Sequence, residues 1–271
     1  MDGWNAMSYD GRDNLLRVVN EQAESMFAVA EAPGAWEAPT ACPGWSVGDV
    51  VGHIVDTTEA YFVGFDAARG KGQASEALGL RVMAARVNER ATAFRTSSQQ
   101  EMLERLRADF AKMMEIFQAL GPDEWTGLVV PHVYMGPLPA FFYPAFQLMD
   151  YGVHGWDIRQ GTGRAHGLSG DVADLLVPFM FVLWQATADV PTGSEPVELG
   201  IRVSGRNAGD HRVRIDPDGV NFEPGAVDDL PAVIEFDPGS FVLTAFGRSN
   251  AGTIRGDVNV ADRYLNLFFR I

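Results

Sequence analysis

The chain has 271 residues, 46% hydrophobic and 21% charged, enough to bury a sizeable core in one large or two ordinary domains. A formal net charge of -15 and a pI near 4.6 argue against nucleic acid or an anionic membrane as partner, because phosphates need a basic surface. One cysteine, Cys42, rules out an intrachain disulfide and fits a cytoplasmic location.

The first residues carry Asp2, Asp10 and Asp13 with no apolar run, unlike a secretory signal. No 18 apolar residues run unbroken, so no membrane span is expected. Helical periodicity from Tyr9 to Ala32 ends at Pro33-Gly34. A proline-bearing connection from Trp36 to Trp45 then delivers Ser46, with Asp49 three residues on, the pattern of a capping box. The helix that follows carries His53 and runs through Phe65 toward Gly70-Lys71-Gly72.

Two further amphipathic segments are expected, from Glu76 to about Ser97 and from Ser98 to Leu120, the second stopped by Gly121-Pro122. Gly127 to Pro139 reads as a loop or short extended stretch holding His132. A fifth helix is expected over Pro139 to Gly161, with a kink or late start at Pro144. The apolar tract Leu175 to Ala186 reads as part of a buried helix, Asp171 to Ala188. After Pro191 the chain alternates: Val197, Leu199, Ile201 and Val203 mark a half-buried strand. Short strands are expected around Val213 and Ile215, Val220 and Phe222, Val233 to Phe236 and Thr253 to Arg255. Helices are expected from a Ser240 cap to Phe246 and from Asp262 to Phe269. Helices followed by strands predict an α+β, two-domain chain. The helical domain is placed at 1–165, a connecting apolar helix at 166–190 and an α+β domain at 191–271.

Asp150 and His154 lie four apart, and Asp157 follows three later, so a helix places all three on one face. Such a face can hold a divalent metal if a facing helix supplies another ligand, and His53 is the best candidate. The same spacing also suits a polar face on a partly exposed helix, and His53 also suits a satisfied boundary histidine. Cys42, ahead of Pro43, reads more simply as a small buried residue than as a nucleophile.

The run Thr40-Ala41-Cys42-Pro43-Gly44-Trp45-Ser46-Val47-Gly48-Asp49-Val50-Val51-Gly52-His53 resembles the second-helix entry of the mycothiol-dependent maleylpyruvate isomerase family, a branch of the DinB-like metal-binding four-helix bundles. Asp150 to Ile158 is similar to that family's second metal motif. The layout resembles the family over roughly residues 10 to 190. Pro231 to Arg248, then Ile254 to Asp257 and the terminal helix, resemble the sterol-carrier-type α+β module that often follows the bundle.

This resemblance implies a divalent metal, usually zinc, on His53, Asp150 and His154, with mycothiol as cosubstrate. The family isomerase has Glu at the position of Asp150, one methylene longer. Asp157 would orient the free ring nitrogen of His154; alternatively it is a helix-end carboxylate paired with Arg159. Two histidines and one carboxylate leave open coordination positions, as in catalytic zinc sites. In the family reaction the thiol adds to a conjugated cis alkene, the bond rotates and the thiol leaves.

Arg81, Arg86, Arg90 and Asn88 are candidates for binding substrate carboxylates if they face the bundle mouth. His132 is a candidate general acid-base. Tyr143, Trp156 and Trp184 suit the core or a pocket wall. The expected activity is a mycothiol-dependent isomerase or S-transferase acting on a small electrophilic or unsaturated substrate. Two alternatives stay open: a non-catalytic carrier of a hydrophobic small molecule, and a metal-dependent hydrolase of a thiol conjugate.

Overall fold

A computed structural model describes residues 2–74, 76–164 and 166–271 and divides them into two compact units, Asp2–Leu168 and Ser169–Ile271. The chain is α+β, with a helical N-terminal unit and a C-terminal unit built on a sheet.

Four long helices make the first unit: α1 (Arg12–Ala30), α2 (Val47–Ala68), α4 (Gln99–Ala119) and α6 (Phe142–Gly161). α1 packs on α6, and α2 packs on α4 and α6. Their buried stripes include Val19, Met26 and Phe27 of α1, Val51, Ile54 and Phe65 of α2, and Met102, Leu106, Met113 and Phe117 of α4. Burial of these faces removes apolar surface from water, which supplies most of the bundle's cohesion. The expected capping box is present: Ser46 Oγ accepts from the Asp49 backbone, and Asp49 accepts from Ser46 N at 2.8 Å.

Boundaries moved where backbone chemistry overrode periodicity. Tyr9–Gly11 is a 3-10 turn ahead of α1. The third segment begins at Leu80, not Glu76, because Gly79 takes φ 88, outside the helical region; α3 spans Leu80–Thr92 and packs on α2. Gly121-Pro122 stops α4 but also starts a short helix, α5 (Pro122–Gly127), since proline is preorganised for a first turn. Residues 129–139 form a hairpin, β1 (Val129–His132) with β2 (Gly136–Pro139). α6 starts at Phe142, so Pro144 sits in its first turn, where its missing N–H costs nothing; the late start is correct and the kink is not needed.

In the second unit the sheet order is β5-β4-β3-β6-β7, from β3 (Val197–Val203), β4 (Gly209–Asp216), β5 (Gly219–Pro224), β6 (Ala232–Phe236) and β7 (Thr253–Gly256). β3 runs parallel to β6, and the other pairs are antiparallel. The helix that the sequence sets apart as a connector, α7 (Gly170–Thr187), groups with this unit and packs on α8 (Pro238–Ala245). α8 is capped by Asp237, not Ser240; the Asp237 carboxylate accepts from Ser240 N at 3.0 Å. The last helix, α9 (Val258–Leu265), begins earlier than Asp262 because Asp257 caps it, and Phe268 lies beyond it, bridged to Ala188. Among the described residues no helix is long and apolar enough to cross a membrane.

Candidate metal centre

Two helices supply the site, each with a ladder of side chains one turn apart. α2 presents His53, Thr57 and Tyr61, and α6 presents His154, Asp150 and Phe146 in the opposite order. The rungs meet in pairs. The His53 and His154 rings lie 5.1 Å apart between centroids, Thr57 Oγ1 reaches Asp150 Oδ2 at 3.4 Å, and the Tyr61 and Phe146 rings lie 6.1 Å apart. His53 Nε2 stands 3.7 Å from Asp150 Oδ1, and one donor atom from each of His53, Asp150 and His154 lies within 4.8 Å of the others. The structure thus brings together the three residues expected from the sequence. Their side chains retain 14%, 12% and 12% exposure, so the cluster is reachable from solvent.

The 3.7 Å separation is too long for a hydrogen bond. It is close to the ~3.4 Å between donors on a tetrahedral ion with bonds of about 2.1 Å. The His, His, Asp donor set and its spacing therefore fit a divalent metal ion, and the shorter Asp side chain reaches the cluster.

The other side of His154 is closed. Its Nδ1 lies 2.9 Å from Asp157 Oδ2, and the Cys42 thiol donates to the same oxygen at 3.1 Å. With Nδ1 engaged there, Nε2 is the ring nitrogen left for the His53–Asp150 side. Asp157 is fully buried and faces His154 rather than Arg159, which donates to Gly155 O and to Ser25 Oγ. Cys42, His154 and Asp157 also lie within 4.8 Å of one another. That trio is joined at hydrogen-bond distances, whereas the His53 trio is held open.

The connection ahead of α2 builds one wall. Pro39 bridges Ser46, Thr40 N donates to Trp45 O, and Ala41 N donates to Asp157 O at 2.9 Å, pinning the turn to α6. Gly44, at φ 79, closes that turn in a conformation that favours glycine. The Trp45 ring stands 5.3 Å from His53 and 6.0 Å from His154, and its Nε1 donates to Asn88 Oδ1 at 3.0 Å.

Of the other expected residues, Asn88 is thereby tied to the wall. Arg90 is paired bidentately with Asp56 at 2.5 and 2.6 Å. Arg81 and Arg86 are exposed on α3. Tyr143 is buried and donates to Val130 O; Trp184 is buried in the second unit, and Trp156 is half-buried. An open groove of about 370 Å³ lined by Glu31, Gln99, Leu103 and Arg107 holds none of the site residues.

Thr57, Tyr61 and Trp45 were not anticipated as part of the site. For Thr57 and Tyr61 the signal was the four-residue spacing from His53. Burial pushes the Tyr61 phenol well above its ordinary value, helped by the charge of Asp150. His132 closes this end of the ladder, 5.9 Å from the Tyr61 ring and 5.6 Å from Phe146. Burial lowers its pKa to about 4, against a smaller opposing pull from Asp150.

Comparison with curated protein sequences finds no match. Among solved structures, the mycothiol-dependent maleylpyruvate isomerase aligns with a TM-score of 0.59 at 13% identity, covering 91% of this chain and 94% of that one. A histidine-to-alanine mutant of that enzyme aligns with a TM-score of 0.59 at 12% identity over the same shares of both chains. A looser match, with a TM-score of 0.47 and 12% identity, is the colibactin self-resistance protein ClbS in complex with a dsDNA, covering 56% of this chain and 94% of that one. At these identities the likeness to the isomerase is one of fold. The profile of the mycothiol maleylpyruvate isomerase N-terminal domain matches residues 19–159, more than half of the chain and the stretch that carries His53, Asp150, His154 and Asp157. The chain belongs to the mycothiol maleylpyruvate isomerase N-terminal domain family.

Proposed function

We propose that the protein is a metal-dependent thiol enzyme, a mycothiol-dependent isomerase or S-transferase acting on a small unsaturated or electrophilic substrate. The observation that carries this reading is the open His53–Asp150–His154 cluster, its donor atoms within 4.8 Å of one another, beside a buried carboxylate that fixes one of its rings. Bound there, a zinc ion would keep open positions and hold a thiol as thiolate near neutral pH.

The chain's own groups do the rest. Thr57 donates to Asp150 Oδ2 and leaves Oδ1 toward His53. Asp157 holds the His154 ring in one orientation, as carboxylates do behind ligating histidines. Trp45 stands beside both imidazoles as one apolar wall of the cluster. A thiolate placed here forms a bond to one alkene carbon, and the π pair moves onto the conjugated carbonyl oxygen. Rotation about the resulting single bond and return of that pair expel the thiolate, leaving the trans alkene.

The second unit bears on the carrier alternative. Its aromatic side chains are engaged with one another: Trp184 packs on Phe241, Tyr264 and Phe268, and Phe181 on Phe222. This weighs for an enzyme over a carrier of hydrophobic molecules.

The test is a thiol-addition screen of the zinc-loaded protein against unsaturated acids and small electrophiles, with and without mycothiol. Turnover that requires the thiol supports the proposal. Turnover without it would assign water as nucleophile and make the protein a hydrolase.

A further inference from the structure

His132 is the last residue of β1 and only 8% exposed. Gly64 of α2 lets the hairpin come close, since a Cβ there would lie 2.6 Å from Pro131 O. The imidazole therefore lies against the same ladder as the metal cluster, among Tyr61, Tyr143 and Phe146. Its Nδ1 accepts from two backbone N–H groups of the hairpin turn, Tyr134 N at 3.2 Å and Met135 N at 3.1 Å.

Two donors aimed at one ring nitrogen admit a single protonation state. A proton on Nδ1 would face both N–H groups, so Nδ1 is bare and the proton is on Nε2. Burial opposes charging the ring, and the nearby carboxylate of Asp150 only partly offsets it. A neutral, single-tautomer imidazole cannot act as the general acid-base expected from the sequence through Nδ1. What it offers is a permanent N–H donor, and among the described residues nothing accepts from Nε2. Nε2 does not count among the buried side-chain atoms that lack a partner, so it keeps access to solvent, where a ligand oxygen can meet it.

We propose that His132 is a substrate-binding residue: its Nε2–H, held in one tautomer by the hairpin turn, donates to a carbonyl or carboxylate oxygen of a substrate bound beside the His53–Asp150–His154 cluster. This deepens the proposed function and rests on it for the identity of the reaction. The substrate class it selects is an alkene conjugated to a carbonyl or carboxyl group. During thiolate addition the π pair moves onto that oxygen, where a neutral N–H donor is most useful, because it stabilises the developing charge without giving up its proton.

Two readouts test this, and neither needs turnover. In the first, ring 15N NMR of metal-free protein should show His132 protonated at Nε2 only, with no titration between pH 5 and 9. A proton on Nδ1, or a titration in that range, would overturn the tautomer. In the second, maleate serves as probe of an unsaturated carboxylate. His132→Asn keeps an acceptor near Nδ1 for the turn and removes the Nε2 donor, so maleate should bind about tenfold more weakly while metal content stays that of wild type. His132→Gln restores an N–H near the Nε2 position and should return affinity to within about threefold. Equal maleate binding by wild type and His132→Asn, or no binding by wild type, overturns the assignment; loss of metal in His132→Asn does so too. If both readouts succeed while no thiol reaction is found, the donor stands and the reaction class alone fails.

Discussion

His154 and Asp157 face each other from successive turns of α6, with 2.9 Å between Nδ1 and Oδ2 and the carboxylate wholly buried. The Cys42 thiol donates to the same oxygen, so the carboxylate is held from two elements. The ring can then neither flip nor swing without breaking a buried contact. Asp157→Asn keeps the shape and removes the charge, and should weaken metal binding by about 10–100-fold. Competition with a chromophoric chelator measures this; unchanged affinity would show that Asp157 does not set the ring.

His53 comes from α2, whereas its two companions share α6. Removing it deletes one of three donors and the only one from the facing helix. Purified wild type should carry about one metal ion per chain, and His53→Ala only a small fraction of that, by elemental analysis. Metal kept in His53→Ala but lost in Cys42→Ser would place the ion on the opposite side of His154, with Asp157 and the thiol.

The cluster was legible in the sequence because helices convert spacing into direction. Asp150 and His154, four apart, had to share a face, and the capping box at Ser46 fixed where His53 falls along α2. The facing arrangement of α2 and α6 did not follow from spacing alone; it was expected from a run of long helices with short connections, which suggests a bundle, and the family resemblance strengthened it. What stayed hidden depends on contacts distant in sequence. Cys42 meets Asp157 only because the 39–46 turn is pinned to α6 by Ala41 N and Asp157 O. The tautomer of His132 depends on a turn whose hydrogen bonds no side-chain pattern announces. Helix ends moved for local reasons, as at Gly79 and Asp257, where one residue's backbone or cap outweighs the periodicity of ten.

Gly161 ends α6 directly under the connection that carries Cys42 and Trp45. A Cβ there would lie 2.2 Å from Pro39 O and 2.4 Å from Thr40 Cα, both backbone atoms that no side-chain rotation can move aside. Gly161→Ala must therefore displace the turn or the helix end. It should lose about 2 kcal/mol of stability in urea melts, more than the small gain in helix propensity returns. The displaced turn also carries the donor to Asp157, so metal affinity should fall in the same variant. Unchanged stability together with unchanged affinity would mean that the turn is free to yield.

Asp109, on α4, is a half-buried carboxylate whose Oδ2 lacks a partner among the described residues. Burial, with the like charge of Glu59 added, raises its pKa to about 6, although Arg105 and Lys112 pull the other way. Glu59 itself is taken by Arg105, at 2.6 and 2.7 Å, so that guanidinium is shared. The folded value lies above the ordinary one near 3.9, so folding favours the protonated form. The resulting penalty is fully present above about pH 6 and fades as pH falls toward the unfolded value. Asp109→Asn removes the charge at every pH. It should be more stable than wild type by about 1 kcal/mol at pH 7, after allowance for solvent screening, and equal to it near pH 4. Urea melts of both proteins at the two pH values give the comparison, and global pH effects cancel within each pair. An Asn variant less stable than wild type at pH 7 would show that attraction to Arg105 and Lys112 outweighs burial at this position.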